Sequence, residues 1–214
     1  MDFLKAFGKY LLTMVIVFVA LGIVVRIFYV DIVTVGDNSM APTLLAGERV
    51  IVWRLAALKV GDVALCEKPV RSGVQQFMIS RVVAHTGHQI AVENGVLNVS
   101  GRKAQSVLQE RLRFYNTTAS RDELPWRARE DLHGHEHDMF VTRVPPFSMR
   151  PVGSINGFFM LGDNRTQSTL DSRALGTVSP NRCRGRVVLR WSVAPPSGHD
   201  DDVYGTHEAF DRIR

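Results

Sequence analysis

Two short segments of the chain contain side chains whose types and spacing could do chemistry. Residues 37–45 read DNSMAPTLL and place Ser39 just before a proline turn. About 120 residues later come GDNR at 162–165 and DSR at 171–173. A serine hydroxyl becomes a good nucleophile only when a neighbour takes its proton. Ser39 alone would read as a loop serine beside a turn, but together with the distant charged segment it is predicted to be a nucleophile.

Two further segments lie between these, GDV at 61–63 and SRVV at 80–83. In this order, behind a long apolar N-terminal stretch, the four segments resemble the type I signal peptidases. The resemblance runs from about Val33 to Val193 and leaves residues 105–150 unmatched. The pattern SM-x-PTL is moderately specific by itself, and it becomes strongly specific when GDNR and DSR follow at this distance.

The resemblance implies a β-rich exported protease that cuts preproteins after small residues at the −1 and −3 positions. Members use a serine nucleophile with a neutral lysine as general base and need no cofactor. Carried onto this sequence, it makes Ser39 the nucleophile and gives Met40 and Pro42 the role of fixing its turn. The residues that would support the site are Asp163, Asn164, Arg165, Ser168, Asp171, Ser172 and Arg173.

The base position departs from the family pattern. The family's lysine stands directly before Arg-x-Val, and Ser80 occupies that place here. Neither a serine nor the arginine after it can accept a proton near neutral pH. Three substitutes remain open: His85, Lys68, or a water held by Ser80. Strand alternation places His85 on the face opposite Ser80 unless a bulge intervenes.

The predicted oxyanion site departs from the pattern as well. Many bacterial members have a serine two residues before the nucleophile, and this chain has Asp37 there. An ionised carboxylate would repel a developing oxyanion, so we expect Asp37 to point away or to be protonated. The backbone N–H of Ser39 would still be able to serve. The last motif is one residue longer than usual, so either Ser168 or Thr169 is expected to provide its supporting hydroxyl.

The N-terminal stretch predicts a membrane anchor. Residues 10–25 carry no charge, and the apolar run continues after Arg26 to Val30, which is about long enough to cross a bilayer as a helix. Lys5 and Lys9 precede it and favour a cytoplasmic N-terminus. We therefore expect a cytoplasmic segment at 1–9, a transmembrane helix at 10–30 and an extracytoplasmic peptidase domain at 31–214, in the cytoplasmic membrane. A cleaved signal peptide is the alternative, although no small-x-small site follows the run.

The exported part reads as mostly β, so we predict a signal-peptidase-like antiparallel β fold with one N-terminal transmembrane helix. Asn94-Gly95 between apolar flanks indicates a hairpin. An inserted cap is expected at about residues 100–155, with a short helix near Ala104–Leu112, and Ala209–Ile213 is a candidate for docking on the domain. Short runs rich in β-branched and aromatic residues predict strands: Glu48–Arg54, Gly61–Cys66, Phe77–Ala84, Phe158–Leu161 and Arg186–Val193.

Composition limits the other readings. The chain has 214 residues, 26 Lys+Arg against 21 Asp+Glu and a net charge of +5, but its basic residues form no stripe of the kind that binds nucleic acid. Its two cysteines, Cys66 and Cys183, would be able to bond in an exported compartment if the fold brings them together. The histidines at 133, 135 and 137 are expected in a polar loop rather than at a metal.

Three function classes were weighed. The favoured one is a membrane-anchored serine endopeptidase acting on the signal peptides of exported preproteins, with the lipid bilayer as its setting. The alternative is a catalytically silent relative that binds signal peptides or serves as a scaffold. A self-cleaving repressor of similar fold is disfavoured by the membrane helix and by the lack of a DNA-binding helix pair.

Overall fold

A computed structural model of the protein describes residues 2–69, 75–117, 119–142, 148–167, 171–194 and 207–213. A single long helix, α1 (Asp2–Phe28), begins the chain. Its segment Phe7–Phe28 is long and apolar enough to cross a membrane, and none of it is buried against the rest of the protein. This confirms the expected apolar N-terminal helix.

The remaining elements are almost all strands, which confirms the predicted mostly β fold. The only other helical elements in the described part of the chain are a short helix, α2 (Ser172–Leu175), and a 3₁₀ turn at Pro180–Arg182. The strands are β1 (Val30–Thr34), β2 (Arg49–Trp53), β3 (Val63–Glu67), β4 (Phe77–Ala84), β5 (Ile90–Glu93), β6 (Val96–Val99), β7 (Arg102–Lys103), β8 (Gln105–Arg111), β9 (Phe114–Asn116), β10 (Arg121–Glu123), β11 (Trp126–Asp131), β12 (Glu136–Val141), β13 (Met149–Val152), β14 (Phe159–Leu161) and β15 (Cys183–Ser192).

A six-stranded antiparallel sheet in the order β1-β2-β15-β3-β4-β14 forms the main body. Strand β4 is buried along most of its length, and its pairing with β3 sets Ala64 opposite Ser80. On the other side of β4, Leu161 of β14 is paired with Arg81. The apolar side chains of β2, β3 and β15 pack with Met40 and Leu44 in one core cluster, so the loop after β1 is anchored to this sheet.

The predicted hairpin forms where the sequence placed it. Strands β5 and β6 pair with Glu93 opposite Val96, and Asn94 and Gly95 between them have φ of 52° and 79°. Positive φ at both central positions defines the tight hairpin turn that Asn-Gly favours. The hairpin belongs to a four-stranded sheet in the order β13-β5-β6-β7.

The inserted region differs from the prediction at residues 104–112, where the structure has strand β8 instead of a short helix. Its side chains have reasonable helix propensity, but β8 pairs with β11 over most of its length in a three-stranded sheet with β12. Helix propensity is a weak preference that such pairing overrides. The insertion is therefore an ordered β layer that packs on the main body.

The two cysteines form a disulfide. Cys183 at the start of β15 is paired with Cys66 on β3, and their sulfur atoms are bonded. Neighbouring strands thus bring together residues that lie 117 positions apart in sequence.

Candidate active site

Ser39 lies in a tight turn within the loop that joins β1 to β2, and only 7 % of it is exposed. The turn is closed by backbone hydrogen bonds from Ala41 N to Asn38 O and from Leu44 N to Met40 O. Met40 is buried in the core cluster beside Leu44, and Pro42 follows a cis peptide bond. The sequence motif therefore folds as one anchored unit that holds Ser39 against the domain.

The second motif meets this turn through its backbone. The N–H of Asn164 donates to the carbonyl of Ser39 at 2.9 Å, and its side-chain amide donates to Asn38 O at 3.1 Å. A Cβ atom at Gly162 would lie 2.4 Å from Ser39 O, so only glycine fits there. The close approach explains why Gly162 must precede the charged residues of this motif.

Asp37 does not point away from the turn. Its Oδ1 accepts the backbone N–H of Ser39 at 2.9 Å. That N–H is the donor we expected to remain for an oxyanion. In this arrangement the donor is already engaged by a carboxylate of the same loop, which differs from the expectation based on the sequence.

Ser80 lies in the middle of β4 and is 1 % exposed. Its hydroxyl is buried and has no hydrogen-bond partner among the described residues. Ser80 precedes Arg81, which is paired with Leu161, and Leu161 is followed by the glycine that contacts Ser39. The pairing of β4 and β14 thus places Ser80 and Ser39 in the same region of the fold.

A buried ion pair between Arg81 of β4 and Asp163 lies next to this region. Arg81 Nη2 lies 2.6 Å from Asp163 Oδ2, and both side chains are essentially inaccessible. The hydroxyl of Thr43, in the loop of Ser39, also donates to Asp163 Oδ2. Burial is the largest single influence and would raise the pKa of Asp163, but the charges of Arg81 and His137 and the hydrogen bonds from Arg81 and Thr43 together outweigh it and lower the pKa. Asp163 therefore stays ionised and links β4 to the loop of Ser39.

The insertion adds Glu130 and His137 to this network; neither was predicted to lie at the site, and His137 was expected in a polar loop but is buried on β12. Glu130 on β11 pairs with Arg165 and lies 3.2 Å from Nε2 of His137 on β12. Burial opposes ionisation of Glu130, yet the charge of Arg165 and the neighbouring His137 lower its pKa to about 2. His137 also lies 3.7 Å from Asp163, so the network is continuous with the first ion pair. The unmatched, polar sequence of the insertion gave no signal for these contacts.

The DSR motif at 171–173 forms a smaller supporting network, in which Asp171 joins the segment after β14 to helix α2. Its Oδ2 accepts the N–H of Gly162 at 3.0 Å, and its carboxylate pairs with Arg173 at 2.6 Å. The hydroxyl of Ser172 accepts the N–H of Met160 at 2.9 Å. Ser168 and Thr169, the two candidates for the supporting hydroxyl, lie outside the described residues.

The structure places two of the candidate substitute bases, His85 and Lys68, well away from Ser80 along strands β4 and β3. His85 follows the end of β4 and is exposed, with its ring 4.0 Å from that of His88. It lies five positions after Ser80, about 17 Å at the usual rise of a β-strand. Lys68 lies four residues beyond Ala64, the partner of Ser80, about 13 Å away along β3. Neither distance is bridged by a side chain.

The three histidines of the insertion do not converge. His137 is buried in the ionic network, whereas His135 packs against Gly61, where a Cβ atom would lie 2.5 Å from its ring. Within the described residues, no group of three or more His, Cys, Asp or Glu side chains has the arrangement of a metal site.

Comparison with known proteins places these features in context. The family model described as "Signal peptidase, peptidase S26" matches residues 7–192. The chain is similar to "Signal peptidase I" of Bacillus caldolyticus, with 33 % identity over 177 residues that cover 81 % of this chain and 87 % of that protein. It is also similar to "Signal peptidase IB" of Staphylococcus aureus strain Mu50, with 28 % identity over 192 residues that cover 87 % of this chain and 90 % of that protein.

Proposed function

Because this chain belongs to the signal peptidase family, peptidase S26, we propose that it is a membrane-anchored serine endopeptidase that removes signal peptides from exported preproteins. Ser39 is the nucleophile. The observation that carries the proposal is the contact of Asn164 N–H with Ser39 O, which fixes the nucleophile turn on the charged motif. The substrate is a signal peptide cut after small residues, as the family resemblance implies.

In the proposed reaction, Ser39 Oγ attacks the scissile carbonyl and forms an acyl-enzyme as the peptide bond breaks. Its proton passes to a base and then to the leaving amine, and water hydrolyses the ester in a second step. The family's base position falls on Ser80, whose hydroxyl cannot accept the proton near neutral pH. A water at the buried Ser80 hydroxyl is the substitute we favour, since His85 and Lys68 lie about 17 Å and 13 Å from Ser80, and such a water is itself only a weak base. Loss of a positioned base lowers rates by about 10²–10⁴-fold, so the wild-type enzyme is slow.

The orientation is proposed on two observations. Lys5 and Lys9 flank the N-terminal side of the apolar helix, which favours a cytoplasmic N-terminus. The Cys66–Cys183 disulfide fits a domain on the oxidising side of the cytoplasmic membrane. Protease digestion of sealed spheroplasts tests this, because an extracytoplasmic domain is degraded without lysis and a cytoplasmic one is protected.

Cleavage of a preprotein with an Ala-x-Ala site tests the proposed activity. The full-length protein in detergent is compared with Ser39→Ala and with Ser106→Ala, which removes an exposed serine of β8. Slow cleavage by the wild type and Ser106→Ala, but none by Ser39→Ala, is expected. Cleavage that survives Ser39→Ala in purified protein contradicts the nucleophile assignment.

A second candidate function is a catalytically silent protein that binds signal peptides. The contact of Asp37 with the Ser39 N–H favours it, because the carboxylate engages a donor needed for the oxyanion. Binding of a fluorescent signal peptide without any Ser39-dependent product distinguishes this candidate from the slow enzyme.

A further inference from the structure

The C-terminal segment 207–213 docks on the main sheet beside the nucleophile loop. It lies beyond residue 192, where the family match ends. Its backbone pairs with β15 through hydrogen bonds from Phe210 N to Arg190 O at 2.7 Å and from Arg190 N to Asp211 O at 2.9 Å. Ile213 packs against the core cluster that contains Met40. The segment is thus fixed to the strand that borders the loop.

His207 at the start of this segment contacts the nucleophile loop directly. Its Nε2 lies 2.8 Å from the carbonyl oxygen of Pro42, three residues after Ser39. Its Nδ1 lies 2.6 Å from Oε1 of Glu48, a side chain with no exposed surface at the other end of the loop. One imidazole therefore ties the middle of the loop, at Pro42, to its C-terminal end at Glu48.

Glu48 and two further charged side chains, Arg190 and Asp211, connect the loop to strand β15. Glu48 Oε2 accepts the backbone N–H of Leu45 at 3.0 Å. Arg190 on β15 donates to Thr43 O at 2.8 Å, and its Nε lies 2.9 Å from Glu48 Oε1. Asp211 completes the cluster at 3.2 Å from Arg190 Nη1. Backbone groups of the segment that follows Ser39 are thus bound by Glu48 and Arg190, and His207 contacts the first of these side chains.

Both ring nitrogens of His207 face oxygen atoms, Nε2 the Pro42 carbonyl and Nδ1 the Glu48 carboxylate. A carbonyl oxygen and a carboxylate oxygen only accept hydrogen bonds, so both contacts together require a proton on each ring nitrogen. A neutral imidazole satisfies one of the two, whereas the imidazolium satisfies both. With His207 protonated, the four side chains Glu48, Arg190, His207 and Asp211 carry two charges of each sign and balance.

We propose that residues 207–213 form a C-terminal latch that positions the nucleophile loop, and that the latch closes fully only when His207 is protonated. His207 is a positioning residue in this proposal, because it acts through Pro42 and Glu48 and not on the substrate. The proposal rests on the proposed function only in treating the Ser39 loop as the working part of the site. Since the latch is a contact within the folded protein, it can be tested without any cleavage.

Amide hydrogen exchange of the full-length protein in detergent tests the latch. The loop amides of Leu44 and Leu45 are compared in wild type, His207→Ala and His88→Ala, the last of which removes a histidine at a distant turn. Protection factors of these amides are expected to fall about tenfold in His207→Ala near pH 6, and to be unchanged in His88→Ala. In the wild type, the protection should decline once the pH is high enough to deprotonate His207, and His207→Ala should lack that decline.

A second variant, His207→Arg, tests the proposal even if His207→Ala destabilises the whole domain. His207→Arg keeps a permanent charge with several donors, so it should retain loop protection and remove its dependence on pH. Loop protection that is the same in wild type and His207→Ala overturns the latch. If His207→Ala lowers loop protection by the same factor at every pH, the role of the protonated ring is overturned. Neither outcome depends on whether Ser39 cleaves a peptide.

Discussion

The carboxylate of Asp37 accepts the backbone N–H of Ser39 at 2.9 Å, two residues along the same loop. In a serine peptidase, an N–H at the nucleophile is well placed to stabilise the oxyanion of the tetrahedral intermediate. A negative charge bound there both occupies the donor and repels the oxyanion. Asp37 is therefore expected to slow the reaction of Ser39 independently of the missing lysine.

The first prediction concerns this carboxylate. Asp37→Ser should raise the rate of preprotein cleavage, because it frees the Ser39 N–H and adds a hydroxyl donor. The gain should reach about 10²-fold, the lower end of the effect of one oxyanion donor. Asp37→Glu keeps the charge and serves as the matched control, without a comparable gain. Equal initial rates for Asp37→Ser and wild type would count against this account of the oxyanion site.

The second prediction concerns the buried pair of Arg81 and Asp163. Removal of one partner from a buried ion pair leaves a charge without compensation, so Arg81→Gln should lower the free energy of unfolding by about 3–5 kcal/mol. Lys103→Gln, which removes one partner of the exposed pair with Glu93, should cost less than about 1 kcal/mol. Urea unfolding followed by tryptophan fluorescence measures both. Similar losses in the two variants would show that the buried pair does not support the site as described.

The third prediction concerns the pH dependence of stability. The pKa of Glu130 is lowered in the folded protein to about 2 from its ordinary 4.5. Its contribution to stability is therefore present above about pH 4.5 and is lost as pH falls through that window to about 2, because the unfolded chain binds the proton first. The full contribution corresponds to about 3 kcal/mol.

Glu130→Gln is the variant that checks this. It should be less stable than wild type at neutral pH and should lose less stability between about pH 4.5 and 2. Thermal unfolding in detergent at a series of pH values measures the slope. If stability falls with pH equally steeply in both proteins, the acid sensitivity comes from other carboxylates and the prediction is wrong.

Much of the fold was predictable because its strands carry local signals. Phe77–Ala84 forms β4 with the expected bounds, and the Asn94-Gly95 turn forms the expected hairpin. The helix expected near Ala104–Leu112 is wrong, because pairing of β8 with β11 outweighs the helix propensity of this segment. Local preference does not reveal a partner strand that lies some twenty residues further along the chain.

The site was predictable where a motif is short and contiguous, and not where distant side chains meet. The turn of Ser39 and its contact with the Gly162 segment follow from motifs that the sequence displays. The contributions of Glu130 and His207 do not follow from any sequence motif, because each is an isolated polar residue in a polar stretch. Their role depends on which buried charge the fold places opposite them, and that is a property of the tertiary structure.

The orientation of the Asp37 side chain was also beyond the sequence. The expectation that it points away came from the chemistry of an active oxyanion site. In the structure, a local hydrogen bond to the N–H two residues ahead decides its position. Aspartate commonly makes such bonds to nearby backbone groups in turns.

Ser39 stands in an assembled site whose main defect, besides the carboxylate of Asp37 at the Ser39 N–H, is the lack of an effective base at Ser80. The most direct test is the cleavage rate of an Ala-x-Ala preprotein by Ser80→Lys, since burial at this position would favour a neutral amine. Ser80→Met, of similar size but without the amine, is the control for packing, and Ser80→Lys combined with Ser39→Ala is the control for the nucleophile. The account predicts a gain of about 10²–10⁴-fold for Ser80→Lys, absent in both controls. A folded Ser80→Lys protein with no gain over wild type would contradict it.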